Sequence, residues 1–173
     1  MRLRGHDFDV RVQGDGEPVV LLHGFPQHAG SWGQVAPALA EAGYRAVALD
    51  QRGYSPGARP TGRRPYVLAE AAADVLALLD ALGADRAHVV GHDWGGVVGW
   101  RLAATAPDRL RTLTSVSTPH PRALVRSLLT SDQALRSWYM ASNWLPWPIV
   151  LAIVAALMWR ARRLSADASA RPA

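Results

Sequence analysis

The stretch Val89-Val-Gly-His-Asp-Trp-Gly-Gly96 is the most informative part of the sequence, because it predicts a strand that turns sharply into a helix. Asp93 stands at the centre of a G-x-D-x-G-G pattern, at the place that serine occupies in the nucleophile elbow G-x-S-x-G. Gly91 and Gly95 keep neighbouring positions free of side chains, so the turn can hold Asp93 in a strained conformation above the sheet. The N–H groups at the start of the helix would then face the carboxylate.

Two interpretations of Asp93 are open on this stretch alone. An Asp that directly precedes a helix is commonly an N-cap, whose carboxylate accepts hydrogen bonds from the first backbone N–H groups. The helix in question would begin at Trp94. The alternative is a nucleophile that the turn holds away from its own helix. The choice depends on the other motifs of the chain.

Strand-like and helix-like segments alternate along the chain, which is typical of a mainly parallel sheet with helices on both faces. Strands are predicted at residues 8–12, 19–22, 45–49, 88–90 and 110–116. Residues 19–22 are continuously apolar and suit a buried central strand. A capping box of Ser31 and Gln34 predicts a helix that Gly43 ends, and further helices are predicted at 66–82 and 97–105.

Composition limits the class of protein. The 173 residues, 49% of them hydrophobic, are enough for one domain with a single core. The chain has no cysteine, so neither a disulfide nor a thiolate metal site is expected, and a reducing cytoplasm is the predicted location. All 19 basic residues are arginines, mostly scattered singly, which argues against a nucleic-acid groove despite the net charge of +5. No metal and no cofactor are predicted.

An apolar run at residues 149–159 begins at Ile149 and is followed by Arg160, Arg162 and Arg163. The run is shorter than the roughly 20 residues needed to cross a bilayer. The three arginines would suit a membrane surface, but a solvated helix face is the favoured interpretation, because short charge runs are commonly solvated. The N-terminus turns polar at once, so no export signal is expected.

The segment Leu21-Leu-His-Gly-Phe-Pro26 follows the buried strand. At this place a hydrolase with a nucleophile elbow needs a loop that offers a backbone N–H to a developing oxyanion. The N–H groups of Phe25 and Trp94 are the predicted donors. His23 is predicted to tie the loop down, since such a loop acts through its backbone. The predicted supporting residues of the site are His23, Gly24, Pro26, Gly91, His92, Gly95 and His120.

A third segment, Leu49-Asp-Gln-Arg-Gly-Tyr-Ser55, follows the next strand, and its Asp50 and Arg52 are predicted to lock loops together. The ordered set H-G-F-P, D-x-R-G-Y and G-H-D-W-G-G resembles the α/β-hydrolase superfamily, specifically its epoxide hydrolase branch. The resemblance runs from about residue 2 to residue 146. It implies an α/β-hydrolase core of about six strands at 1–119 and a partial helical cap at 120–163. The polar tail at 164–173 is expected to be disordered.

An aspartate nucleophile displaces a leaving group at saturated carbon and forms an alkyl-enzyme ester that water must later cleave. The resemblance therefore implies a small, apolar substrate such as an epoxide. Opening the ring needs an acid, a role that the resemblance assigns to cap tyrosines, of which Tyr139 matches the first. A packed aromatic beside Trp138 is the alternative interpretation of Tyr139. An alkyl halide fits less well, because the related haloalkane dehalogenases often supply a donor for the leaving halide from the residue after H-G, and Phe25 at this position has no side-chain donor.

Cleavage of the ester needs a histidine base, and His120 is the only histidine after Asp93. The resemblance implies a base farther downstream, so His120 is interpreted as a loop brace or pocket wall. The chain is therefore expected to lack the base and its orienting acid, to be inactive or limited to one turnover, and to leave 110–116 as a hydrophobic sheet edge. Two alternatives stay open: an ester or halide hydrolase with His120 as base, and a non-enzymatic protein that binds a partner or a membrane surface through 149–163 and the open edge.

Overall fold

The structure is a computed structural model that describes residues 1–131 and residue 149. The chain divides into two units, Met1–Pro121 and Arg122–Ala173. Tyr139, the tail 164–173 and all of the apolar run except Ile149 lie outside the described residues. What the sequence predicts for the cap, the tail and a membrane surface therefore stays a prediction.

Seven strands occur within the described residues. They are β1 (Arg2–Leu3), β2 (His6–Asp7), β3 (Val10–Gln13), β4 (Glu17–Leu22), β5 (Tyr44–Leu49), β6 (Ala87–His92) and β7 (Leu110–Val116). The first two form an antiparallel hairpin, and the other five form one sheet in the order β3-β5-β4-β6-β7. Only β3 is antiparallel to its neighbour in that sheet. The predicted mainly parallel sheet is confirmed, with five strands in the main sheet where about six were expected in the core.

Three helices pack on the main sheet: α1 (Val35–Glu41), α2 (Leu68–Ala81) and α3 (Trp94–Thr105). Val20 and Leu22 of β4 belong to a hydrophobic core with α2 and α3. The alternate residues Val19 and Leu21 belong to a second core, on the face where α1 lies. Burial of each such side chain stabilises the fold by about 1.5–3 kcal/mol. The predicted helices on both faces are confirmed.

Two local predictions differ from the structure. The capping box at Ser31 is wrong, because a short 3₁₀ helix, Ala29–Trp32, stands there and α1 begins only at Val35. The Ser31 hydroxyl donates backwards to the His28 carbonyl at 2.8 Å instead of capping α1. Phe8 is buried as expected of an inward residue, but it lies before β3 and not within that strand.

The strand β7 lies at one edge of the main sheet in the described part of the chain. Leu110 and Leu113 pack against the core, whereas Arg111 and Thr112 are exposed. The prediction that this edge strand is hydrophobic is wrong for its exposed side chains, which are mainly polar. Val116, 42% exposed, is the exception. Polar and charged side chains on an edge strand oppose pairing with a second chain.

None of the helices in the described part of the chain is long and apolar enough to cross a membrane. The last of them, α4 (Pro121–Thr130), has 10 residues. A bilayer-spanning helix needs roughly 20.

An ion-pair network ties the N-terminal hairpin and the loop after β5 to α2. The buried Asp74 carboxylate accepts hydrogen bonds from Arg52 Nε at 2.8 Å and Arg52 Nη2 at 2.6 Å. Arg4 Nη1 donates to the same carboxylate at 2.9 Å, and Arg4 Nη2 donates to Glu70 at 2.7 Å. The side chains of Arg52 and Asp74 are only 6% and 2% exposed, so loss of one partner leaves the other charge buried. Arg52 therefore locks a loop, as predicted.

Asp74→Ala is expected to lower the free energy of unfolding by about 3 kcal/mol, because it leaves the buried Arg52 guanidinium without its partner. Asp80→Ala is the matched control. Asp80 is also a carboxylate of α2 paired with an arginine, Arg109, but its side chain is 67% exposed. Its loss should cost less than about 1 kcal/mol. Urea unfolding of both variants checks the difference, and equal losses would contradict it.

Candidate active site

Asp93 lies in the sharp turn between β6 and α3. Its backbone has φ 51° and ψ −118°, a conformation that side-chain-bearing residues rarely adopt and that costs about 1–3 kcal/mol. The Thr118 hydroxyl donates to the Asp93 carbonyl at 2.9 Å, and the Asp93 N–H donates to the Val116 carbonyl at 3.3 Å. Contacts from the end of β7 and the residues after it therefore hold the strained turn.

The Asp93 side chain does not cap α3. A capping carboxylate would accept a hydrogen bond from an N–H in the first turn of the helix, and no such bond is present. Instead, Oδ1 accepts a hydrogen bond from the Phe25 N–H at 2.9 Å. Within the described residues, no hydrogen bond holds the second oxygen, Oδ2. The N-cap interpretation is therefore wrong.

Three glycines let backbone segments approach closely around the turn. A Cβ on Gly24 would lie 2.5 Å from the Asp93 Cβ. A Cβ on Gly91 would lie 2.4 Å from the Gly95 carbonyl oxygen, and one on Gly95 would lie 2.1 Å from the Leu22 carbonyl oxygen. All three distances are shorter than real Cβ contacts, so the requirement at these positions is for space.

His23 and Asp50 brace the loop that carries Phe25. The His23 ring is fully buried, and its Nε2 accepts a hydrogen bond from the Gln51 N–H at 3.1 Å. The proton must then sit on Nδ1, which donates to the Gly24 carbonyl at 2.9 Å. Burial lowers the pKa of His23, which favours this neutral form. Asp50 Oδ1 accepts from the Ala29 N–H, so Asp50 also locks loops, as predicted.

Gln27 is a site residue that the sequence analysis missed. Its Oε1 accepts a hydrogen bond from the Gly24 N–H at 3.4 Å and lies 3.0 Å from His92 Nδ1. The side chain therefore bridges the Phe25 loop and the end of β6, and it places His92 beside the turn. Gln27 directly follows the H-G-F-P motif in the sequence, and this position could have indicated that it belongs to the site. The neighbouring Phe25–Pro26 peptide bond is cis.

A cavity of about 250 Å³ lies on the α2 side of the site. Aromatic side chains form much of its wall: Phe25, Tyr54, Tyr66 and Trp94. Leu68 and Ala71 of α2 and Val98 of α3 add aliphatic surface. We refer to this space as the aromatic cavity. Two of the lining residues, Phe25 and Trp94, are the predicted oxyanion donors. Phe25 also donates its N–H to Asp93, and Trp94 follows Asp93 in the chain, so the cavity adjoins the turn.

Tyr54 is the second residue of the site that the sequence analysis missed. Its ring meets the His23 ring edge-on, with centroids 4.6 Å apart. Burial and the negative charge of Asp93 raise the pKa of the Tyr54 hydroxyl. The sequence predicts that Asp50 and Arg52 of the D-x-R-G-Y segment lock loops together and predicts no role for Tyr54. The segment nevertheless follows β5 at the carboxyl edge of the sheet, where open α/β sheets bind ligands. The position of the segment could therefore have indicated that Tyr54 faces a binding site.

Two further residues are predicted for the site, His120 and Tyr139. The His120 ring meets the Trp100 ring of α3 edge-on, with centroids 4.8 Å apart. Trp100 in turn donates from Nε1 to the Thr118 carbonyl at 3.2 Å. Tyr139 lies outside the described residues. Among residues 1–131 and 149, no group of three histidine or carboxylate side chains is placed to hold a metal ion.

A family model for the alpha/beta hydrolase fold matches residues 17–147 of the chain. The match includes the turn at Asp93, four strands of the main sheet and the three helices that pack on it. The chain belongs to the α/β-hydrolase family.

Its relatives in that family include epoxide hydrolases. Epoxide hydrolase A of Mycobacterium tuberculosis is 45% identical over 132 residues, which cover 74% of this chain and 40% of that protein. A crystal structure of an epoxide hydrolase from Vigna radiata matches with a TM-score of 0.67 and 34% identity, over 76% of this chain and 45% of the other. An epoxide hydrolase from an endophytic Streptomyces matches with a TM-score of 0.68 and 36% identity, over 76% and 41%. The chain is thus epoxide hydrolase-like, and it spans less than half the length of these relatives.

Stability should fall as the pH is lowered through the titration of His23. The folded-state pKa of His23 lies below its usual value of 6.5, so at mildly acidic pH the unfolded chain binds a proton that the folded chain does not. The stabilisation from neutral His23 is complete above about pH 6.5 and is lost as the pH falls toward the folded-state pKa.

The measurement is urea unfolding between about pH 7.5 and pH 5.5. His23→Gln is expected to be less stable at the higher pH and to show a shallower decline than the parent chain. His6→Gln, a change in the N-terminal hairpin, is the control and should keep the parent's slope. A His23→Gln slope equal to that of the parent would contradict the prediction.

Proposed function

We propose that this chain carries the nucleophile of an epoxide hydrolase, and that the nucleophile is the Asp93 carboxylate. The observation that carries the proposal is the unequal environment of its two oxygens. The Phe25 N–H holds Oδ1, whereas Oδ2 accepts no hydrogen bond from the described residues and the side chain does not cap α3. A carboxylate with one oxygen anchored and the other free is oriented for attack.

The first step of the proposed reaction opens the epoxide ring. Asp93 Oδ2 forms a bond to a ring carbon, the bond from that carbon to the ring oxygen breaks, and the oxygen takes a proton from an acid. The product is a 2-hydroxyalkyl ester of Asp93 that contains every atom of the epoxide. Tyr139 is the proposed acid, because it matches the first cap tyrosine of the family.

The Phe25 N–H also suits the second step, hydrolysis of the ester. When water adds to the carboxyl carbon of the ester, negative charge develops on the carboxyl oxygen that was not alkylated. In the proposed reaction that atom is Oδ1, to which the Phe25 N–H already donates. The Trp94 N–H, at the start of α3, is the proposed second donor. An oxyanion accepts a stronger hydrogen bond than a neutral ester oxygen, so these donors favour the intermediate.

The base for the second step is not assigned to His120. His120 is the only histidine after Asp93 in the sequence, and its ring packs against Trp100 on α3. We therefore propose that His120 braces the chain after β7 and that this chain alone stops at the ester. Each molecule of protein would then react with one molecule of epoxide.

One side chain beside Asp93, that of Phe25, favours an epoxide over an alkyl halide. Phe25 is 62% exposed and apolar, so it offers no side-chain hydrogen bond to a leaving halide. An epoxide oxygen instead leaves with a proton and stays attached to the substrate. The aromatic cavity beside the turn suits a small apolar molecule, and attack by a carboxylate requires neither a metal nor a cofactor.

Incubation of the chain with a monosubstituted epoxide is expected to add one epoxide mass to the protein, because ring opening by Asp93 loses no atoms. Intact-mass spectrometry detects the adduct, and peptide mapping should place it on Asp93. Asp93→Asn should abolish the adduct, since a neutral amide is a far weaker nucleophile than a carboxylate.

Asp108→Asn is the matched control for that experiment, because Asp108 is an exposed carboxylate in the short 3₁₀ helix Pro107–Arg109 and is not part of the site. This variant should form the adduct at the rate of the parent chain. Labelling spread over several carboxylates, or undiminished in Asp93→Asn, would exclude Asp93 as the nucleophile. Sustained release of diol by the purified chain would exclude the single-turnover part of the proposal.

A further inference from the structure

A second cavity lies at the end of the main sheet opposite to Asp93. The strands β5, β4, β6 and β7 are neighbours and run parallel, so their amino ends meet at one edge of the sheet. Asp93 follows the carboxyl end of β6, at the other edge. The cavity at the amino edge has a volume of about 440 Å³. We refer to it as the arginine cavity, because Arg45, Arg86 and Arg111 line it.

Each of the three arginines reaches this cavity from a different strand. Arg45 is the second residue of β5, and Arg86 directly precedes β6. Arg111 is the extra residue of a β-bulge in β7, because consecutive residues of β6 pair with Leu110 and Thr112. Such a bulge turns a side chain out of the regular alternation of its strand. The fold therefore brings three arginines that are far apart in the sequence to one space.

The arginines have hydrogen-bond donors that a ligand can use. The Nε atom of Arg45 is buried and has no hydrogen-bond partner among the described residues, which is costly for a charged group. Arg86 is exposed, and its side chain forms no ion pair within residues 1–131. Arg111 pairs with Glu17, but the two side chains are 51% and 37% exposed, so this surface pair contributes little. A bound anion would supply the acceptor that Arg45 lacks.

The loop at residues 83–86 forms another wall of the cavity, and Arg109 fixes it in place. Arg109 Nε donates to the Asp85 carbonyl at 2.7 Å, and Nη2 donates to the Ala84 carbonyl at 3.3 Å. The same Nη2 donates to the Asp80 carboxylate at 2.7 Å. This wall therefore exists before a ligand binds, which lowers the entropic cost of binding.

We propose that the arginine cavity binds a phosphate group. Three arginines and one aspartate, Asp85, give the residues that line the cavity a net charge of +2. A phosphate monoester carries a charge of about −1.5 to −2 at pH 7 and has three acceptor oxygens. Guanidinium groups bind such oxygens through two parallel hydrogen bonds. The cavity thus matches a phosphate more closely than a carboxylate, which carries a single charge and two oxygens.

The cavity has room for more than the phosphate itself. Its volume lies within the roughly 300–1,000 Å³ of sites for small molecules, and Pro18 and Ala84 add apolar surface to the wall. The phosphate is therefore either inorganic or part of a small organic molecule. This inference goes beyond the proposed function and is independent of it, because Asp93 and its loop take no part in it.

Isothermal titration calorimetry of the whole chain with inorganic phosphate, at constant ionic strength, tests the inference. Arg86→Gln is expected to raise the dissociation constant about tenfold, because it removes charge-assisted hydrogen bonds to the anion. Arg63→Gln is the matched control, since it removes the same charge from an exposed residue in the loop after β5. The control should bind phosphate as the parent chain does. Equal weakening in both variants would overturn the inference, because binding would then follow net charge alone.

Asp85→Asn is the second variant, and it should tighten phosphate binding about threefold, because it removes the negative charge that lines the cavity. Misfolding cannot produce such a gain. Absence of phosphate binding by the parent chain, or an affinity that neither Arg86→Gln nor Asp85→Asn changes, would overturn the inference.

Phenyl phosphate, titrated in the same way, distinguishes the two sources of the phosphate group. Tighter binding of phenyl phosphate than of inorganic phosphate would support an organic phosphate as the ligand, since the ring then gains contacts with the rest of the cavity. Equal binding of the two would support inorganic phosphate. In either case the affinity should fall in Arg86→Gln and stay unchanged in Arg63→Gln.

Discussion

A single hydrogen bond, from the Phe25 N–H to Asp93 Oδ1, joins residues 68 positions apart and organises the site. It requires Gly24, because a Cβ there would occupy the space of the Asp93 side chain. It also requires the positive φ at Asp93, which turns the carboxylate away from the start of α3. Thr118, bonded to the Asp93 carbonyl, helps to hold that strained turn. Without this arrangement the same residue would be an ordinary helix cap.

Much of the fold could be predicted because local patterns and tertiary packing agree. The continuous apolar residues of β4 have their alternate side chains in two different cores, as a strand covered on both sides must. The apolar spacing of α2 matches the face that it buries, and Gly83 follows it with a positive φ of 66°. The G-x-D-x-G-G pattern located the turn at Asp93, since few residues tolerate so close an approach of backbones.

The parts that could not be predicted depend on contacts between distant residues. Gln27 joins the site because its amide meets His92, 65 residues away, and spacing within one segment carries no such information. Tyr54 faces the cavity because the loop after β5 folds against α2 through Arg52 and Asp74. Ser31 shows the opposite failure, because a correct local capping pattern was overridden when the chain formed a 3₁₀ helix there.

A series of ion pairs connects the N-terminal hairpin to the wall of the aromatic cavity. Arg4 pairs with Glu70 and Asp74, and Asp74 pairs with Arg52, which lines the cavity. The outermost link, Arg4 to Glu70, is about one-third exposed on each side and is therefore open to screening by salt. A fusion tag or a trimmed terminus that displaces Arg4 would thus leave the Asp74 carboxylate to Arg52 alone, so the way in which the recombinant protein begins affects the charge balance behind the wall of the pocket.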